Sequence, residues 1–112
     1  MTITPELHDK KATLKLEGNF TYTQRKTFQE MLRTICTEQI EEVVIDLSQV
    51  AFLDSAALGL LMITHRQLEA DKRKLSLAYP QATVRQILEL ANLHKTIPMI
   101  EAGVPSPVRK SA

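Results

Sequence analysis

The sequence predicts a small α/β domain with a mixed β-sheet, and three observations carry that expectation. Val43, Val44 and Ile45 are consecutive β-branched residues, which suit a strand covered on both faces. After Gly18 the spacing of apolar residues switches repeatedly between helical and strand-like periods. Strands that alternate with helices need long crossovers, usually right-handed, that lay the helices over the sheet. The predicted order is β-β-α-β-α-β-α-β, with four to five strands and amphipathic helices in one domain over residues 2–100. No internal repeat, linker or low-complexity block interrupts it.

The elements follow in chain order. Ile3, Pro5 and Leu7 alternate with polar residues in a first strand that Pro5, lacking a donor, restricts to a sheet edge. His8 to Lys11 reads as a turn. Leu14 and Leu16 alternate with Thr13, Lys15 and Glu17 in a second strand, which Gly18 and Asn19 are expected to end. Thr21 and Gln24 resemble a capping box, and Phe28, Met31, Leu32, Ile35 and Cys36 then fall on one helical stripe. Val43 to Leu47 is the central strand, and Asp46 to Phe52 is read as the segment that crosses over from it. Asp54 and Ser55 are both good N-cap types before Ala56, Ala57, Leu58, Leu60, Leu61 and Met62. This second helix is expected to bury Leu58, Leu61, Met62, His65 and Leu68 and to end near Asp71. Leu75, Leu77 and Tyr79 make a strand that Pro80 stops, and Val84, Ile87, Leu88 and Ala91 make a third helix. Asn92 suits the left-handed position after a helix. Ile97 to Ile100 reads as a last edge strand, and 101–112 as a loose tail.

Composition excludes several function classes. The net charge of +1 lacks the basic excess of a dedicated nucleic-acid surface. Arg25 with Lys26, and Lys72 to Lys74, read as solvated faces. The single cysteine, Cys36, cannot form an internal disulfide and reads as a small buried hydrophobe in a reducing compartment. The longest apolar run, Ala56 to Ile63, is far short of the roughly 20 residues of a membrane span, so a cytoplasmic protein without membrane insertion is expected.

The chain also lacks the makings of common catalytic sites. A nucleophilic serine needs a base within hydrogen-bond reach. The sequence Asp54-Ser55-Ala56-Ala57 lacks the glycines of a nucleophile elbow, and His65 lies roughly 15 Å from Ser55 along the same helix. One cysteine and the scattered His8, His65 and His94 give no metal-ligand spacing, and three glycines give no phosphate loop, so no metal or cofactor is expected. What remains is a hydroxyl at a helix start. Either Ser55 or Asp54 merely caps the helix, or Ser55 accepts a phosphate, which the unpaired N–H groups and positive dipole of a helix N-terminus would favour.

The words DLSQVAFLDSAALGLL, within this order of elements, resemble the STAS domain, specifically the bacterial anti-sigma factor antagonists. The resemblance spans residues 2–100 and is most specific in Asp46-Leu47-Ser48, Phe52-Leu53, Asp54-Ser55 and Leu58-Gly59. It implies that Ser55 is the phosphoacceptor of a partner serine kinase, often itself the anti-sigma factor, and that a metal-dependent PP2C-type phosphatase reverses the modification. It also implies a non-enzymatic role, with Asp54, Ser55, Ala56, Leu58 and Gly59 facing the partner. Ala56 and Ala57 stand where the family often has a second hydroxyl and a glycine, and Asn92 where it often has a glycine before Leu93. A constitutive STAS scaffold, such as a subunit of a lipid-transport ATPase assembly, is the alternative within the same fold.

Overall fold

The structure is a computed structural model that describes residues 1–100 of the chain. Five strands lie side by side in their chain order: β1 (Thr2–His8), β2 (Lys11–Phe20), β3 (Glu42–Leu53), β4 (Lys74–Ala78) and β5 (Met99–Ile100). β1 and β2 form an antiparallel hairpin, whereas every later pairing is parallel. Parallel neighbours require crossovers. These are α1 (Arg25–Ile35), α2 (Ser55–Ala70) and α3 (Ala82–Leu90). The expected mixed sheet and order of elements are present, with β1 and β5 at the edges.

The register explains where the core sits. Leu14, Ile45, Leu77 and Met99 stand in one row across β2 to β5, and the row beside it is Lys15, Asp46, Ala78 and Ile100. Side chains alternate across a strand, so these rows face opposite sides. Leu14, Ile45 and Leu77 join one hydrophobic cluster with Phe28, Leu32 and Ile35 of α1, Ala57, Leu60, Leu61 and Leu68 of α2, and Val84 and Leu88 of α3. Val44 and Ala78, on the other face, are buried outside that cluster. All three helices therefore pack on one side of the sheet. Phe20 and Phe28 meet with ring centroids 5.1 Å apart, anchoring the start of α1 to the end of β2.

Two sequence expectations fail along β2 and β3, for one physical reason. β2 does not end at Gly18 but runs to Phe20, and Asp46 to Phe52 is not a crossing segment but the second half of β3. Between Lys15 and Glu17, and again between Gly18 and Asn19, the pairing register shifts so that β3 contributes one extra residue each time. Such bulges reset the side-chain alternation. Leu47, Val50 and Leu53 are consequently all buried at a spacing of three, a period that resembles neither a plain strand nor a plain helix. Asp46 steadies the first shift, its Oδ1 accepting the Ser48 N–H at 2.9 Å. Gly18, at φ +108°, supplies backbone freedom beside the second.

Other details also differ. α2 buries Ala57, Leu60, Leu61, Thr64 and Leu68, so its inward face is rotated from the expected stripe, and Leu58, Met62 and His65 lie at its margin. Thr64 is hidden because its hydroxyl donates to the Leu60 carbonyl at 2.8 Å. Cys36 is half-buried rather than buried. Burial still pushes its thiol above the usual range, with the nearby Arg73 cation opposing that shift. Arg73 is not a solvated charge either: its Nε donates to the Ile40 carbonyl at 2.8 Å and its Nη2 to the Thr37 carbonyl at 2.7 Å. It pins the turn after α2 to the segment after α1. Tyr79 lies beyond the end of β4, in the left-handed region at φ 54°. Asn92 adopts φ 61°, the left-handed conformation expected of it after α3, and Ile97 is buried just before the two-residue β5. The segment read as a tail, 101–112, lies outside the described residues.

Candidate functional site

The site is the junction of β3 and α2, at the carboxyl end of the parallel strands, where open α/β sheets present their functional loops. Leu53 is buried and holds the end of β3 in the core. The chain then turns at Asp54, whose extended conformation (φ −97°, ψ 178°) and side-chain acceptor make it the N-cap of α2. Its Oδ1 accepts the Ala57 N–H at 2.8 Å. Between the two candidate caps, the structure selects Asp54.

Asp54 also reaches across the molecule. Its Oδ2 accepts the backbone N–H of Tyr22 at 2.9 Å, and its own N–H donates to the Phe20 carbonyl at 3.3 Å. The loop after β2 and the loop after β3 are thus tied into one surface. The hydrogen bond from the Ala57 N–H, then that from Tyr22, with a smaller contribution from Ala56, hold the Asp54 carboxyl below the usual carboxylate range. The carboxylate is a fixed structural anion and already has two donors.

Ser55 is the first residue of α2 and is exposed. Since Asp54 takes the cap, no hydrogen bond among the described residues engages the Ser55 hydroxyl. Of the other residues expected at a partner surface, Ala56 and Leu58 are half-buried and Gly59 is exposed, one turn along the helix from Ser55. A Cβ added to Gly59 would meet nothing within 4 Å, so that side of α2 faces open space. Ile63, a further turn along, is 43% exposed, and Phe52 just before the junction is 45% exposed.

Sequence reasoning missed Tyr22. It is 67% exposed and sits in a short 3-10 turn (Tyr22–Gln24) that leads directly into α1. The Thr21 and Gln24 signal does locate that helical start: Gln24 Oε1 accepts the Thr21 N–H at 3.0 Å and the Thr21 hydroxyl at 2.9 Å. The link from Tyr22 to Asp54 spans 32 residues and has no local signature.

The catalytic alternatives gain nothing from the geometry. His65 is largely enclosed on the margin of α2, with Nε2 3.6 Å from the Glu69 carboxylate and Nδ1 buried without a partner. No hydrogen bond brings it to Ser55. Among the described residues, no group of three or more His, Cys, Asp or Glu side chains is placed to hold a metal ion. No described helix is long and apolar enough to cross a membrane.

A sheet of this order with Asp-Ser at the start of α2 is what the STAS resemblance implied, and a STAS domain family model matches residues 2–104. The chain belongs to the STAS domain family. A STAS-domain containing protein of Pseudomonas aeruginosa is 25% identical over 95 residues, covering 85% of this chain and 93% of the relative. Among solved structures, an anti-sigma factor antagonist from Mycobacterium paratuberculosis is 24% identical, with a TM-score of 0.78 over 88% of this chain and 84% of that one. The Bacillus cell fate determinant SpoIIAA in its phosphorylated form is 18% identical, with a TM-score of 0.69 over 90% of this chain and 93% of that one. At such identities the structural likeness establishes the shared STAS fold. The murine anion transporter solute carrier 26 family member A9 also contains a matching region, at 12% identity and a TM-score of 0.73 over 86% of this chain and 17% of that one.

Proposed function

We propose that this STAS domain is an anti-sigma factor antagonist working as a phosphorylation-controlled partner switch. With Ser55 unmodified it binds an anti-sigma factor that is also a serine kinase, and phosphorylation of Ser55 releases that partner. A PP2C-type phosphatase resets the switch, and the cycle runs in the cytoplasm. The observation that carries this reading is the exposed Ser55 hydroxyl at the first position of α2, relieved of capping by Asp54. Among the described residues no hydrogen bond joins it to a base, and the neighbouring Asp54 carboxylate is engaged by two N–H donors, which suits a target of another enzyme's chemistry better than a nucleophile.

The energetics favour release without refolding. A phosphate at a helix N-terminus gains at most about 2 kcal/mol, too little to remodel a packed domain. The same group brings about −1.5 to −2 charges to the centre of the binding surface, beside the Asp54 carboxylate. A buried like-charge clash costs several kcal/mol, and about 3 kcal/mol is already a hundredfold in affinity. SpoIIAA supports the idea of a switch without refolding, since this chain matches its unphosphorylated and phosphorylated forms with TM-scores of 0.70 and 0.69.

The test compares Ser55→Ala and Ser55→Asp for binding to the kinase that copurifies with the full-length chain from its own cells. Phosphopeptide mass spectrometry on the same material locates the modification. Retained binding by Ser55→Ala and loss on the order of a hundredfold by Ser55→Asp is the expected result. Equal affinity of the two variants, with no phosphate on Ser55, would sink the switch and leave a constitutive STAS scaffold.

A further inference from the structure

We infer that Tyr22, Arg25 and Lys26 form the second half of the Ser55 docking surface and select a partner that presents clustered carboxylates there. The inference rests on the partner-switch reading and names the chemistry of the partner. Tyr22, Thr23, Arg25, Lys26 and Gln29 line a shallow cleft of ≈ 360 Å³. The Asp54 carboxylate accepts both the Tyr22 and the Ala57 backbone N–H, so Tyr22, at one end of this cleft, is tied to the residue that precedes Ser55.

The charge distribution is one-sided. From Asn19 to Gln29 and from Val50 to Ile63, Arg25 and Lys26 are the basic residues and Asp54 is the lone carboxylate, already engaged by two N–H donors. Neither Arg25 nor Lys26 enters an ion pair among the described residues, although Glu30 follows one turn on. Both cations also occupy the first turn of α1, where no acidic residue stands and where the helix dipole disfavours positive charge. Local rules broken without compensation inside the fold mark positions shaped by function. An acidic surface supplies that compensation from outside. Tyr22, in the same cleft as the basic pair, and Phe52, paired in the sheet with Asn19, are large exposed side chains that would fill the desolvated centre of such an interface.

This surface also accounts for release. Arg25 and Lys26 together carry a formal charge of +2. A phosphoserine at Ser55 carries about −1.5 to −2 and nearly cancels the field that attracts the partner's carboxylates. The phosphate thus acts twice, by its own repulsion and by neutralising the basic pair.

The experiment uses the full-length chain and the serine kinase with which it copurifies. The Arg25→Glu/Lys26→Glu variant should lose affinity by roughly tenfold or more with no fall in melting temperature, since both positions are exposed and acidic residues suit the first turn of a helix. Zero-length carbodiimide coupling, which joins an amine to a carboxylate, should link Lys26 to an Asp or Glu of the kinase. Undiminished binding by the charge-reversed variant, or cross-links made only through Lys10, Lys11, Lys72 or Lys74 at the opposite end of the strands, would overturn the inference while leaving the phosphorylation switch intact. Equal binding of Ser55→Ala and Ser55→Asp, with loss in the charge-reversed variant, would remove the switch and keep the acidic partner. A chain that binds no kinase overturns both.

Discussion

Replacing Gly59 by alanine separates the stability of α2 from its role as a surface. Gly59 is the fifth residue of the 16-residue α2, well inside the helix. Glycine there costs about 0.5–1 kcal/mol relative to alanine, because the unfolded chain has more conformations to lose. The new methyl meets nothing within 4 Å, so no overpacking offsets the gain. Gly59→Ala should therefore stabilise the isolated protein by about 0.5–1 kcal/mol, which for a domain of this size is a rise in melting temperature of roughly 2–8 °C. The methyl also protrudes one turn from Ser55, where a closely packed partner would have to move to admit it. Binding to the proposed partner kinase should weaken while stability rises. Thermal melts by circular dichroism and titration calorimetry on one preparation read both quantities. A lower melting temperature would refute the helix argument, and a higher one with unchanged affinity would remove Gly59 from the partner surface.

Three further outcomes are expected. Leu61→Ala, at a fully buried position where α2 meets the sheet, should cost about 2–5 kcal/mol, read as a lower urea midpoint at constant slope; a loss under about 1 kcal/mol would mean that the core under Ser55 is loosely packed. Asp54 has a depressed folded-state pKa, so its contribution is present above the unfolded value of about 3.9 and disappears as pH falls through the lower folded value. The difference in melting temperature between wild type and Asp54→Ala should accordingly be flat from pH 7 to about pH 5 and shrink only below about pH 4; a collapse near pH 6 would contradict the two N–H bonds. The Cys36 thiol, raised by burial, should alkylate with iodoacetamide at pH 7.5 more slowly than a free cysteine peptide, and a faster reaction would show an activated thiolate.

Much of the fold was legible locally because its signals are local. The β-branched run at Val43, the helix formers after Ser55, the polar and apolar alternation around Leu14 and the left-handed residue at Asn92 each report conformation from a few neighbours. The serine at a helix start was legible for the same reason. Where the chain departs from a regular period, local reading failed: two register shifts disguised the second half of β3, and Gly18 read as an end when it lies within a strand. The inward face of α2 was misjudged by a rotation because Thr64 satisfies its own hydroxyl and can be buried, which polarity alone does not reveal.

The sequence by itself determined the class of fold, the chain order of its elements and the candidate hydroxyl at Ser55. Only the tertiary structure decided that Asp54 rather than Ser55 caps α2, and that the same carboxylate binds the Tyr22 backbone. It alone placed Arg73 among main-chain carbonyls while leaving Arg25 and Lys26 exposed in a cleft with Tyr22. The physical reason is that propensity and periodicity are properties of neighbours in sequence. The role of a charge or a cap depends on which donors and acceptors the closed sheet brings within about 3 Å of it, however far apart they lie along the chain.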